Sequence, residues 1–181
     1  VSDQHHFITE FSGTHHFIME YLIDEVLKQQ PEEIQDFLKK TAKLKYFNAD
    51  LCDIVTGHQN AASILDKMEK TNLFLISLDD QHIWFRYHHL FSEMLQTQIN
   101  SENSLKVHQK AAKWFESQNL FEDAIHHYLL GSETENAVRL ISKIAIDLFK
   151  QGELKTLLNH LNSLPDEYVN SDQELIIYKS L

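Results

Sequence analysis

Phe74-Leu75-Ile76-Ser77-Leu78-Asp79-Asp80-Gln81-His82-Ile83-Trp84-Phe85-Arg86-Tyr87 is the stretch on which the fold turns. Aromatic and β-branched residues dominate its two arms, helix formers are scarce, and Asp79-Asp80-Gln81 breaks it in the middle. That composition predicts two short strands around a turn. From His88 to Ile99 the spacing becomes helical again, with Leu90, Phe91, Met94 and Leu95 on one side. The residues before the hairpin are helical in period too. Phe17, Ile18, Tyr21, Leu22, Val26 and Leu27 make one face of a helix over 15–29, with Ser12 or Thr14 as its cap. Pro31 opens a second helix, Glu32 and Glu33 favour its positive end, and Ile34, Phe37 and Leu38 form its face. Asn48 caps a short helix through Leu51, Cys52 and Val55 that Gly57 stops. Asn60 opens another, carrying Ile64, Leu65 and Met68. Helices, one β-hairpin and a closing helix make a winged-helix plan over residues 15–100.

Beyond that plan the period stays helical. Asn100-Ser101-Glu102-Asn103-Ser104 reads as a linker. Helices are then predicted over 105–117, 120–130, 133–151, 154–164 (ended by Pro165) and from 172 to the last residue. Short turns between them make helical hairpins in series over 105–181. Ala111, Trp114 and Phe115 followed by Ala124 and Tyr128 resemble a degenerate tetratricopeptide unit, small residues letting paired helices approach. The fold class is mainly α: a winged-helix domain with one small β-hairpin, then a tetratricopeptide-like helical array. The chain starts at Val1 and stops within the apolar Ile176-Ile177-Tyr178-Lys179-Ser180-Leu181, which reads as a fragment cut at both ends.

Composition bounds the function. The 181 residues are 43% hydrophobic and 24% charged, ordinary for a folded globular chain. No apolar run approaches the ~20 residues of a membrane span, and no signal-peptide pattern opens the chain. The single cysteine, Cys52, excludes an intrachain disulfide and suits a reducing, cytoplasmic setting. Gly13, Gly57, Gly131 and Gly152 lie too far apart for a phosphate-cradling loop, and no Gly-Lys pair occurs. The formal charge is −11. Residues 1–100 hold 8 basic against 15 acidic side chains, and residues 101–181 hold 8 against 12. Neither half offers the excess of Lys and Arg that phosphate neutralisation requires. The Lys39-Lys40 to Lys45 run follows Glu32, Glu33 and Asp36 and reads as charge matched to a helix C-terminus.

Catalytic and metal chemistry find little support. Twelve histidines include four doublets, but no two are four residues apart and no HExxH occurs, so scattered surface imidazoles are expected and no metal site. Cys52 lies on an apolar stripe and reads as a buried, inert thiol. Asp79-Asp80 is explained by turn chemistry better than by acid–base work. No catalytic residue is assigned. One junction is sharper: in Trp84-Phe85-Arg86-Tyr87-His88-His89-Leu90-Phe91 a strand runs straight into a helix. A histidine there can direct its ring along the helix N-terminus, where an anionic group is also favoured. From spacing alone, a capping or core role for that ring is favoured over a phosphate sensor.

Several blocks together resemble a known family. They are Tyr21-Leu22-Ile23-Asp24-Glu25-Val26-Leu27 running on to Phe37-Leu38-Lys39-Lys40-Thr41, then Leu51-Cys52-Asp53-Ile54-Val55-Thr56-Gly57. Asn72-Leu73-Phe74-Leu75-Ile76-Ser77-Leu78-Asp79 and Phe85-Arg86-Tyr87-His88-His89-Leu90-Phe91 follow. In this order they resemble the large ATP-binding transcription regulators of the LuxR type, those like the maltose-regulon activator, a branch of the signal-transducing ATPases with numerous domains. The resemblance covers roughly residues 11–165. It implies that residues 1–14 are the tail of a preceding nucleotide-binding region, 15–100 a winged-helix domain and 105–181 the start of a helical sensor arm. It implies a parent that binds ADP or ATP with Mg, oligomerises when active, and contacts DNA only through a separate C-terminal domain. The implied partners are the intramolecular nucleotide-binding domain and a small-molecule or protein effector on the helical arm, with no membrane. In related switch ATPases a winged-helix histidine touches the ADP phosphate, and His88 best matches it; position 89 is His where animal and plant relatives carry Asp. The rival reading is a stand-alone helical-repeat adaptor that binds another protein and has no nucleotide switch.

Overall fold

The computed structural model describes residues 17–171 and 173–179. The chain divides into two compact units, Val1–Ser104 and Leu105–Leu181, each with its own core. The proposed caps Ser12 and Thr14, and the tail 1–14, lie outside the described residues.

In the first unit, α1 is wound as a π-helix over Leu22–Leu27. The wider winding breaks the single apolar face that a 3.6-residue period predicts. Leu22 and Leu27 turn inward, whereas Phe17 and Tyr21 stay 71% and 61% exposed. Next come α2 (Glu32–Thr41), α3 (Ala49–Thr56) and α4 (Ala61–Lys70). Their starts follow local chemistry. Pro31, with its fixed φ, stands at the N-cap of α2. The Asn48 side chain accepts the Leu51 N–H at 2.9 Å at the start of α3, and Gly57 (φ 79°) closes that helix in the left-handed region. Asn60 holds the N-cap position of α4 without capping it. Its amide donates to Glu33 at 2.7 Å, and Asp53 accepts the Ala61 N–H at 2.9 Å instead.

Strands β1 (Leu75–Ser77) and β2 (Phe85–Tyr87) pair antiparallel, Ile76 opposite Arg86. Asp79 accepts the backbone N–H groups of Gln81, Ile83 and Trp84, so its carboxyl organises the turn and stays below the usual carboxylate range. A third segment escaped the sequence reading: Phe47 bridges Phe85 with both backbone bonds at 2.8 Å. One residue has no alternation to read, yet this bridge completes the winged-helix pairing. Helix α5 (His89–Thr97) closes the unit. Phe37, Leu38, Phe47, Leu51, Met68, Phe91, Met94 and Leu95 fill its interior, each such side chain worth about 1.5–3 kcal/mol of burial. Tyr87, stacked obliquely on Phe47 (4.8 Å), shares a 2.6 Å hydrogen bond with the equally buried Thr41. Cys52 is fully buried, and desolvation pushes its thiol well up.

The second unit is all helical. Helix α6 runs Ser101–Ser117, so Ser101–Ser104 are helix rather than linker, because the Asn100 side chain caps it by accepting the Asn103 N–H at 2.9 Å. Helices α7 (Phe121–Leu130), α8 (Thr134–Lys150) and α9 (Leu154–Asn162) follow as antiparallel neighbours, then α10 (Asp166–Ser171) and α11 (Gln173–Lys179). The sequence reading missed α10. Ala111, Ala112, Ala124, Ala137 and Ala145 are all buried, allowing close helix approach. Glu116 of α6 accepts from Tyr128 of α7 and from Arg139 of α8 (2.8 Å), tying the first three helices. Arg139 holds the Glu116 carboxyl below its usual range, while burial and then the Glu116 bond push the Tyr128 phenol up to about 12.

Two histidines depart from the expected surface role. His108 of α6 and His127 of α7 are 6% and 4% exposed, with their Nδ1 atoms 2.9 Å apart. One ring donates its Nδ1–H to the bare Nδ1 of the other. Desolvation first, then His108 and His126, lower His127 to about 3. Each doublet half looks alike in sequence, but the α7 period turns His127 inward onto Phe115 (5.2 Å) and leaves His126 exposed.

Candidate functional site

The strand-to-helix junction builds the site. In β2, Phe85 and Tyr87 are buried and Arg86 is exposed. Strand geometry therefore delivers the next residue, His88, to the edge of the core, where it becomes the N-cap of α5. Its backbone is held at both ends: its N–H donates to the Phe74 carbonyl (2.8 Å) and its carbonyl accepts from Ser92 (2.9 Å). Phe74 stacks on the fully buried Phe91, which anchors that contact. The His88 ring caps nothing. It is half-buried and rests against the exposed His89 ring, centroids 4.5 Å apart. Among the described residues neither ring nitrogen has a hydrogen-bond partner.

The surroundings favour negative charge. The first turn of α5 contains no acidic residue, so its partial positive end is uncompensated by the helix itself. Arg86, two residues before His88, is exposed and has no ion pair among the described residues. The sequence reading missed Arg86, although strand alternation carried the signal. An imidazole, a free helix N-terminus and a guanidinium on one short segment fit a phosphate-like anion. The capping role does not describe the His88 side chain, which makes no cap hydrogen bond.

Other faces of this unit have different chemistry. Asp50 of α3, Asp66 and Glu69 of α4, and His82 in the wing turn border a cleft of about 340 Å³ over Leu65 and Phe85. Glu69 pairs with His82, Asp66 with Lys70 (2.7 Å). That is an acidic rim on the helix and wing that a nucleic-acid-reading winged helix would make basic. Among the described residues no three His, Cys, Asp or Glu side chains gather as for a metal ion. No described helix is long and apolar enough to cross a membrane.

Comparison with known proteins places the chain. Residues 23–108 match the MalT winged helix domain. The HTH-type transcriptional regulator MalT of Cronobacter sakazakii is 32% identical over 90% of this chain and 18% of its own length. The regulator of the same name from Klebsiella pneumoniae is 30% identical over 99% of the chain and 20% of its length. That of Vibrio parahaemolyticus is 27% identical over 96% and 19%. The chain thus spans about a fifth of the length of the curated relatives it matches. Through residues 23–108 the chain belongs to the MalT winged helix domain family, and over nearly all its length it is homologous to one region of these LuxR-type transcriptional regulators.

Proposed function

We propose that this chain is the middle module of an ATP/ADP-switched transcriptional activator, with His88 reading the nucleotide phosphate. The observation that carries the reading is the half-buried His88 ring, fixed by its backbone and left without a partner at an uncompensated helix N-terminus. Bound ADP would supply the anion. His88 and the α5 N–H groups would donate to it, and Arg86 would add positive charge nearby. The nucleotide itself is held by a preceding domain of the parent, with Mg. This unit is the lid whose position the phosphate biases. A coupling of about 3 kcal/mol shifts a two-state population about a hundredfold, within reach of one charge-assisted bond plus a helix terminus. The helical unit would carry the effector signal, and DNA contact would belong to a C-terminal domain of the cytoplasmic parent, which oligomerises when active.

His88→Ala in the full-length parent tests the reading. It is expected to speed ADP release and raise transcription without inducer. His88→Gln, which keeps a donor, is expected to fall between. Unchanged ADP release in both variants removes His88 from the switch. The acidic rim over α4 supports a lid over a DNA reader, since Lys and Arg supply the affinity of operator binding.

A further inference from the structure

In the second unit, the first turn of α7 and the C-terminal half of α8 border a groove of about 430 Å³. Leu120, Phe121, Ile144 and Leu148 form its apolar walls. Glu122 and Asp147 stand at its rim, Asp123 adds a third carboxylate, and no basic side chain lines it. Neither the Glu122 nor the Asp147 carboxylate has a hydrogen bond or ion pair among the described residues. Lys143 lies over the Phe121 ring at 5.1 Å and helps to lower the Glu116 carboxyl. Leu120, 36% exposed, continues the apolar surface at the mouth.

Each part of this lining selects something. The apolar walls reward burial of one or two large aliphatic or aromatic side chains. The exposed Glu122 and Asp147 carboxylates repel acidic segments and attract Lys or Arg placed beside those anchors. The groove follows helices, so a peptide laid along it meets anchors and charges in series. From this we infer that the groove between α7 and α8 is a docking site for a basic amphipathic peptide segment of a partner protein, apolar anchors inward and Lys or Arg at the rim. The inference is independent of the nucleotide reading: it concerns the second unit alone and survives if His88 proves structural.

The test uses the whole 181-residue chain and three fluorescent peptides of one length: a Leu/Lys amphipathic helix, its Leu/Glu counterpart and a Ser/Lys counterpart without anchors. Fluorescence anisotropy is expected to show saturable binding of the Leu/Lys peptide only. Amide NMR shifts should cluster at residues 119–123 and 144–151. Glu122→Lys with Asp147→Lys should weaken binding about tenfold or more, and Leu120→Ser should weaken it without changing the salt dependence. Asp50→Lys with Asp66→Lys, on the first unit, is the control for net charge and should leave affinity unchanged. Equal weakening by both reversals, binding of the Ser/Lys peptide as tight as Leu/Lys, shifts elsewhere, or no binding overturns the inference. Sedimentation of the free chain adds an arm: a dimer abolished by Leu120→Ser assigns the groove to a second copy and overturns it too. Circular dichroism confirms that each variant is folded.

Discussion

Acid should unlock the helical unit through His127, and the size of the effect follows from its burial. His127 is lowered from the ordinary histidine value of 6.5 to about 3, because the folded protein desolvates it and sets it against His108 and His126. The unfolded chain takes up a proton near 6.5, and the folded chain resists until about 3. A base with a depressed folded pKa therefore leaves stability intact above 6.5 and removes it progressively as pH falls toward 3. The loss is about 1.4 kcal/mol at one pH unit below the unfolded value and about 2.7 kcal/mol at two. A domain of this size has only about 5–15 kcal/mol in hand.

The assay must see the second unit alone, since a chain of two units need not unfold in one step. Trp114 lies edge-on to Phe115 (5.2 Å), which stacks on His127. In a Trp84→Phe background its fluorescence reports that neighbourhood. Urea titrations at intervals from about pH 7.5 to 4.5 give the unfolding free energy at each pH. His127→Gln keeps a hydrogen-bonding group for His108 but does not titrate. Its curve should fall less steeply by about 1.4 kcal/mol per unit below 6.5. His160, also lowered by desolvation, is present in both proteins and cancels in the difference. So do Glu116 and Asp36, whose lowered carboxyls lose stability only as acid reaches them. Superimposable pH dependences for the two proteins refute the claim that His127 is buried neutral.

Two further outcomes test the packing. Thr41→Val strands the Tyr87 hydroxyl in the core and should cost about 1–3 kcal/mol, whereas Tyr87→Phe leaves Thr41 bonded to the Phe37 carbonyl (2.8 Å) and should cost about 1 kcal/mol; equal losses in urea midpoints contradict that asymmetry. A Cβ on Gly131 would meet the Gln109 backbone nitrogen and the His127 carbonyl at 3.1 Å, so Gly131→Val should lower the second unit's stability by about 1–3 kcal/mol, and an unchanged midpoint shows that α6 and α7 can part without cost.

Much of the fold was legible because its signals are local. Asn48 and Gly57 mark α3 by side-chain and backbone chemistry that a sequence shows directly. The alternation of Phe85, Arg86 and Tyr87 marks β2. What stayed hidden depends on distant partners or small changes of period. The bridge at Phe47 exists because Phe85 is opposite it. Phe17 and Tyr21, just ahead of the π-wound α1, stay exposed although their residue types say inward. The His108–His127 pair joins residues nineteen apart through the return of an α-hairpin, and a doublet by itself does not tell which ring faces in. His88 was visible as a residue type at a junction. Its lack of a partner depends on what surrounds it in the fold.

The winged-helix plan and its charge pull apart, and that conflict narrows what the first unit can do. A fold alone does not assign function. A DNA reader of this plan needs cations on its second helix and wing, each released counterion adding affinity. Here the cleft between α4 and the wing carries Asp50, Asp66 and Glu69, and the lysine beside it, Lys70, is already paired with Asp66. Arg86, exposed and without an ion pair among the described residues, stands two residues before His88 and the bare end of α5. An acidic cleft on the helix and wing opposes a polyanion along its length, which is the reason our proposal places the anion contact at the β2–α5 junction instead.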